Sequence, residues 1–313
     1  MIETSIIIPT YHRKESLLRL LQSIKNQKRK NVEVIIVEQG ENNGETYKKS
    51  AKEYSIPLIY SFQKTLSTSH AKNKGAGQAR GKYLIFYDDD VVVENNAIQN
   101  IIKNFSDKTI GGVAGRVVDN GKTEETKRTD TGRISVFGSF SDGFSSKIRQ
   151  DVDTVIGCNA GWRKDIFEIV GGFDEEFTGN AMREESDLSL RVKKLGYRII
   201  FDPTATVIHI REPHGGARKA DDRLYWYFHF FSNETYFFLK HRPILLLPIF
   251  LLTRVSYILR CMFGFGREVS PRSFLVPMKG IVDGLGKYYV YHCSSNFQFS
   301  NHNFQSNEEK FNV

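Results

Sequence analysis

The sequence is poor in the features that mark several large protein classes. Its 313 residues hold three cysteines, Cys158, Cys261 and Cys293, set far apart. Without a C-x-x-C pair or metal-ligand spacing, they build neither a disulfide framework nor a zinc site, and reduced thiols in a cytosolic chain are expected. The opening Met1-Ile2-Glu3-Thr4-Ser5 has no basic segment, apolar stretch or small-residue cleavage site, so no secretory leader is read and a cytoplasmic location is expected. The apolar run Pro243 to Leu252 is about half of the ~20 residues needed to cross a bilayer. No internal repeat is present.

What is there is an ordinary globular composition, 40% hydrophobic, with a formal charge of +8. A basic field of that size concentrates polyanions, whether nucleic acid, anionic lipid or a phosphorylated substrate. The basic residues are dispersed and form no nucleic-acid reader motif, which argues against nucleic acid.

Short apolar runs, Ser5 to Pro9, Val32 to Val37, Leu58 to Tyr60 and Lys82 to Tyr87, have strand length and the continuous hydrophobicity of strands covered on both faces. Between them Leu17, Leu18, Leu20, Leu21 and Ile24 recur at helical spacing, and Glu45 to Tyr54 is a weaker helical segment. This alternation predicts an α/β fold with a mostly parallel, doubly wound sheet. Ligands of such sheets bind beyond the carboxyl ends of the strands. Here those positions carry Thr10 to Arg13, Glu38 to Gly40 and Asp88 to Asp90.

Asp88, Asp89 and Asp90 follow an apolar strand directly, and carboxylates so crowded repel unless a cation lies between them. Mg²⁺ or Mn²⁺ held by one or two carboxylates commonly completes its shell with phosphate oxygens; an acidic turn capping the next helix is the alternative. A second cluster, Arg183-Glu184-Glu185-Ser186-Asp187, opens a helix expected over Glu185 to Leu195, with Leu188, Val192 and Leu195 on one face and Gly196 as its stop. It could serve only to cap that helix. Sugar transfer, however, needs one carboxylate to take the proton of the attacking hydroxyl and a metal site to hold the departing diphosphate.

In order from about Ser5 to His209, the chain resembles the family 2 glycosyltransferases of the GT-A fold. Ser5 to Arg13 is similar to that family's first strand and Pro-x-Tyr-Asn turn, Val34 to Gly40 to its Val-Asp-Asp-Gly, and Ala71 to Gly75 to its Ala-Arg-Asn-x-Gly. Tyr87 to Asp90 is similar to its Asp-x-Asp, and Gly171 to Glu175 with Glu184 to Leu188 to its Gly-Gly-Phe-Asp and Glu-Asp-x-Asp-Leu blocks. The resemblance implies an inverting, metal-dependent enzyme using a nucleotide-diphosphate sugar, with UDP-sugars favoured, and Mn²⁺ or Mg²⁺ as cofactor. By it, Asp88 and Asp90 hold the metal, completed by His209, and Glu185 or Glu184 is the general base. Pro9, Thr10, Tyr11, Arg13, Glu38, Lys72, Asn73, Asp88 and Asp89 bind the donor, with Glu38 at the nucleobase. Three positions depart from the pattern: Glu38-Gln39 stands for paired aspartates, Lys72 for an arginine that could grip phosphate in two places, and Glu185 for an aspartate.

From Gly111 to about Asp153 loops and short strands that shape an acceptor site are expected, with order resuming over Val155 to Phe173. Trp162 and Arg163 are read as an acceptor wall joined by Asp187, since Trp stacks on sugars and Arg pairs with anions; a buried Trp beside a tight turn is the alternative. Arg211 to Arg218 reads as a loop able to close over the donor, or as a hinge. The expected organisation is a catalytic domain over 1–215, a helical extension over 216–292 and a disordered tail over 293–313. The aromatic and Arg-flanked extension is read either as a helix pair on the catalytic domain or as a peripheral contact with the inner face of the cell membrane. The acceptor would then be a polysaccharide or a lipid-linked sugar. A non-catalytic nucleotide-sugar-binding or membrane-scaffold protein is the alternative function.

Overall fold

The computed structural model describes residues 2–27, 31–119, 127–216, 223–263 and 271–308. The chain divides into two compact units, Met1–Trp226 and Tyr227–Val313. The boundary falls eleven residues beyond the expected 215, and residues 217–222, with the end of the expected closing loop, lie outside the described residues.

The first unit is built on one mixed sheet. Its strands are β1 (Thr4–Tyr11), β2 (Val32–Gln39), β3 (Leu58–Gln63), β4 (Tyr83–Tyr87), β5 (Val91–Val93), β6 (Ile110–Asp119), β7 (Gln150–Asp151), β8 (Asn159–Arg163) and β9 (Arg198–His209). The order is β3-β2-β1-β4-β8-β6-β9-β5, with β7 beside β9. The β1–β2, β1–β4, β2–β3 and β6–β9 pairs are parallel, and β8 enters antiparallel between β4 and β6. The expected apolar runs are strands, and every residue of β2 is buried. Helices α1 (Lys14–Lys25), α2 (Gly44–Glu53), α3 (Thr68–Gln78), α4 (Ala97–Lys103), α5 (Lys164–Ile169) and α6 (Glu184–Lys194) flank the sheet. Leu17, Leu20, Leu21 and Ile24 of α1 pack on Ile6, Ile8, Val34 and Ile36 on one face, while Ile7, Ile35, Leu84 and Phe86 belong to the cluster on the other.

Two expectations are corrected within this unit. The stretch from Gly111, expected to be irregular, carries the ten-residue strand β6. Its glycines hide it: a Cβ on Gly112 would stand 2.5 Å from the Trp162 ring, and one on Gly111 would stand 2.8 Å from Val192. The packing of large neighbours against the strand therefore removes the side chains that would have announced it. In α6, Leu188 and Val192 are buried, but the helix ends at Lys194 and Leu195, its C-terminal cap, is 49% exposed.

Glu33 fastens the start of β2. Its fully buried carboxylate accepts from Ser5 Oγ at 2.6 Å, Arg80 N at 2.8 Å and Arg80 Nε at 2.7 Å. Burial alone would raise this carboxyl, yet these donors hold it below its ordinary 4.5. A carboxyl lowered on folding stabilises above its unfolded value and loses that contribution as pH falls through the folded one. The melting temperature of the wild type should therefore drop more steeply than that of Glu33→Gln between about pH 5 and 3; parallel curves would contradict this.

The second unit consists of most of α7 (Arg223–His241), α8 (Leu247–Phe263) and α9 (Pro271–Glu308). Phe231, Ile258 and Ile281 form its small core with Phe230, Leu251 and Phe274 packed around them. Helix α9 continues to Glu308, so residues 293–308, expected as a disordered tail, are helical, and 309–313 lie outside the described residues. Among the described residues no helix is long and apolar enough to cross a membrane.

Candidate active site

Because β1 and β4 are parallel neighbours, with Ile7 opposite Phe86, the residues that follow both strands leave the sheet at the same edge. Strand β5 then turns back along β9 and sets Val91 opposite His209. This pairing brings a histidine from far along the chain beside Asp90. One ligand atom from each of Asp88, Asp90 and His209 lies within 4.8 Å of the others.

Asp89 points away from this trio. It accepts from Thr10 Oγ1 at 2.7 Å and from Arg13 Nη1 at 2.9 Å, and the same guanidinium nitrogen lies 2.9 Å from Asp90 Oδ2. Burial pushes the Asp89 carboxyl up, to about 7, against the pull of Arg13. Burial likewise raises Asp88, with Lys72 pulling it down and Asp90 pushing it up. For Asp90 burial is outweighed by His209, Arg13 and the Glu212 amide, which hold it low.

The trio fits a divalent cation. The buried Asp90 Oδ1 makes no hydrogen bond, although His209 Nε2 is only 3.2 Å away, so a lone pair remains for a metal. Two carboxylates and an imidazole form a donor set suited to Mn²⁺, and Mg²⁺ would take the carboxylates.

Across the cleft, Lys72 of α3 meets the first turn of α6. Its buried Nζ donates to Glu184 Oε1 at 2.6 Å and to Glu185 Oε1 at 2.9 Å, and Ser69 Oγ donates to the other oxygen of Glu184. Burial lowers the Lys72 ammonium, but the two carboxylates and Asp88 more than reverse this. Burial pushes Glu184 up. The two glutamates differ in reach: the Glu184 side chain is 1% exposed and saturated by Lys72 and Ser69, whereas Glu185 is 19% exposed. Gly157 makes room for it, since a Cβ there would overlap the Glu185 carboxylate. The acids also lie at the positive N-terminal end of α6, where negative charge is favoured.

These groups share one cleft of about 580 Å³. Pro9, Thr10, Tyr11, Arg13, Lys72, Asp88, Asp89, Asp90, Glu184, Glu185 and His209 all line it. Its walls include residues to which the sequence reading gave no role: Phe140, Asn180, Met182 and Trp226. They come from separate loops and α7, and no local pattern marks them.

Five expected site residues are placed elsewhere. Glu38 is 2% exposed and accepts from Asn43 N and Nδ2, both at 2.7 Å, from Tyr60 OH at 2.6 Å and from Tyr47 OH at 3.1 Å. Its oxygens are committed to folding the 40–44 turn rather than to a base, and burial together with Glu38 raises both phenols. Asn73 clamps the Gly-Gly-Phe-Asp turn, accepting from Phe173 N at 2.8 Å and donating to Phe173 O at 2.8 Å. Asp187 is fully buried and accepts from Arg191 Nε at 2.8 Å, while Arg191 Nη2 donates to Gly172 O at 2.7 Å. Trp162 is also fully buried. The antiparallel register sets Arg163 opposite Tyr83, the far end of β4 from Asp88. No acceptor wall forms from Trp162, Arg163 and Asp187; the packed-Trp alternative is the observed one.

Residues 5–171 match the sequence model of Glycosyl transferase family 2, more than half of the chain. This chain belongs to that family. The probable glycosyltransferase YdaM of Bacillus subtilis (strain 168) is 27% identical over 65% of this chain and 49% of its own length. The O-antigen chain rhamnosyltransferase WbaN of Salmonella anatum is 24% identical over 66% of this chain and 65% of its own. The chain thus spans about half of YdaM and just under two thirds of WbaN. The mannosyltransferase PcManGT of Pyrobaculum calidifontis, solved with GDP-Man and Mn²⁺, superposes with a TM-score of 0.55 at 16% identity, covering 92% of this chain and 87% of that one. The expected GT-A fold is therefore the fold of this family 2 member. Its matched region contains Asp88 and Asp90, while Glu184, Glu185 and His209 lie beyond residue 171.

Proposed function

We propose that this family 2 glycosyltransferase moves a sugar from a nucleotide-diphosphate sugar to an acceptor hydroxyl, with inversion, in the assembly of a cell-surface polysaccharide or glycolipid. The observation that carries the reading is one cleft holding both the Asp88, Asp90 and His209 trio and the cleft-facing Glu185 beside Lys72. Membership of the family, the O-antigen role in WbaN's name and the GDP-Man and Mn²⁺ in the PcManGT complex support it.

In this reading Asp88, Asp90 and His209 hold Mn²⁺ or Mg²⁺, which when bound supplies positive charge to the departing diphosphate. Glu185 accepts the proton of the acceptor hydroxyl as that oxygen forms its bond to the anomeric carbon. The bond from that carbon to the phosphate oxygen breaks, and its electron pair leaves with the nucleoside diphosphate. Lys72 orients Glu185 through its hydrogen bond and adds positive charge to the cleft, where preorganised charge lowers the barrier most. Arg13 screens Asp89 and Asp90 from each other. With Glu38 committed to its own turn, choice of nucleobase falls to other residues of the cleft.

The test is calorimetric titration of the purified chain with UDP-sugars first, then GDP- and dTDP-sugars, in Mn²⁺ and in chelator. Metal-dependent binding of at least one is expected. Binding to none would favour a non-catalytic scaffold.

A further inference from the structure

The helices of the second unit carry apolar side chains that its small core does not use. On α8 and the turn before it, Leu245, Ile249, Leu252 and Leu259 are exposed, at 85, 46, 70 and 40%. Their spacings of four, three and seven residues put them on one face of a helix. The other face of α8 is the packed one, through Phe250 and Ile258, each no more than 1% exposed. Helix α9 repeats the pattern with Leu275, Val282 and Tyr289 at seven-residue intervals, 54, 64 and 71% exposed. A largely apolar stripe on each of two helices of one small unit is more than the scattered apolar exposure of an ordinary surface.

The charge around these stripes is mostly positive, although Asp283, next to Val282 on α9, is acidic and pairs with Lys287. From Lys240 to Lys279 the only acidic residue is Glu268, against Lys240, Arg242, Arg254, Arg260, Arg267, Arg272 and Lys279. Arg242 precedes the first stripe, Arg260 follows Leu259 directly, and the exposed Lys279 lies on the α9 face between Leu275 and Val282. Arg254, paired with Glu234 at 3.2 Å, belongs to the packed side. Aliphatic residues bordered by cations, on helices too short in apolar length to cross a bilayer, match a surface that offers hydrocarbon beneath negative headgroups. A second copy of the same unit would instead bring like charge against like.

We propose that α8 and α9 form a docking surface for an anionic lipid bilayer, with Leu245, Ile249 and Leu252 entering the headgroup boundary and the exposed Arg260 and Lys279 meeting lipid phosphates. The surface stands independently of the sugar-transfer reading, and its test does not use turnover. The full chain is floated with vesicles of phosphatidylcholine alone and of phosphatidylcholine with 30% phosphatidylglycerol. At least tenfold more protein is expected with the anionic vesicles, falling as salt rises. Leu245→Glu with Leu252→Glu should remove that binding while leaving the thermal transition of the chain unchanged, because both side chains are solvent-exposed. Equal recovery with both vesicle types, or binding untouched by the double substitution, would overturn the proposal. So would a dimer in sedimentation equilibrium that the same substitution dissociates, since a second copy would then cover the stripes.

Discussion

Asp90→Ala is expected to lower kcat/KM for sugar transfer by at least about 10³-fold, roughly 4 kcal/mol of transition-state stabilisation, and to abolish metal-dependent nucleotide binding. The size of the effect follows from position. Asp90 supplies one of three ligand atoms clustered within 4.8 Å, its Oδ1 has no hydrogen bond to replace, and it faces both His209 and Arg13. Fold stability should change little by comparison, because Arg13 keeps its bond to Asp89 and its bonds to the backbone of Glu212 and His214. Transfer assays, titration with Mn²⁺ and a melting curve on the same preparation separate the two consequences. Full activity in a folded Asp90→Ala enzyme would remove the metal site from the mechanism.

The second large effect separates the two adjacent glutamates. Glu185→Gln keeps the shape but cannot take a proton, so kcat should fall about 10² to 10⁴-fold, the range of a general base, with donor affinity nearly unchanged. Glu184→Gln should behave differently. Glu184 is buried against Lys72 and Ser69, and removing one charge of a buried pair costs about 3 kcal/mol or more of stability; its signature is a lowered melting temperature with a smaller loss of kcat. Measuring kcat, donor affinity and melting temperature for both variants decides between them. If Glu184→Gln is the inactive, normally stable variant, the base is Glu184 and the exposure argument fails.

Much of this site could be read along the chain because its chemistry is concentrated at strand ends. The runs before Thr10 and Asp88 are continuous and apolar, so their strands, and the carboxylates that follow, stood out from their surroundings. The acidic pair at the start of α6 was legible for the same reason, charge next to an apolar pattern, whereas Lys72 was implied only by the resemblance to the family's Ala-Arg-Asn-x-Gly block. The failures have equally specific causes. Glu38, Asn73 and Asp187 sit in motifs that look like ligand contacts, but each is used up by neighbours: Glu38 by Tyr47, Tyr60 and Asn43, Asn73 by Phe173, and Asp187 by Arg191. A polar residue type announces hydrogen-bonding capacity and leaves the partner unstated. Trp162 shows the converse, a side chain suited to sugar stacking that is wholly enclosed because Gly112 on the next strand leaves a slot for its ring.

The sequence alone determined the α/β class, the order of the strands and helices around the first four strands, the acidic clusters and the aromatic, basic character of the last helices. These are local properties, carried by periodicity and composition over a few residues. Only the tertiary structure decided that β8 runs antiparallel between β4 and β6, which sends Arg163 to the wrong end of the sheet, and that the β5–β9 pairing sets His209 beside Asp90. It likewise set which of two adjacent glutamates lining the cleft is the more exposed, because that depends on where Lys72, Ser69 and Gly157 stand around them. Register and enclosure arise from contacts between residues far apart in the chain, and no local pattern encodes them.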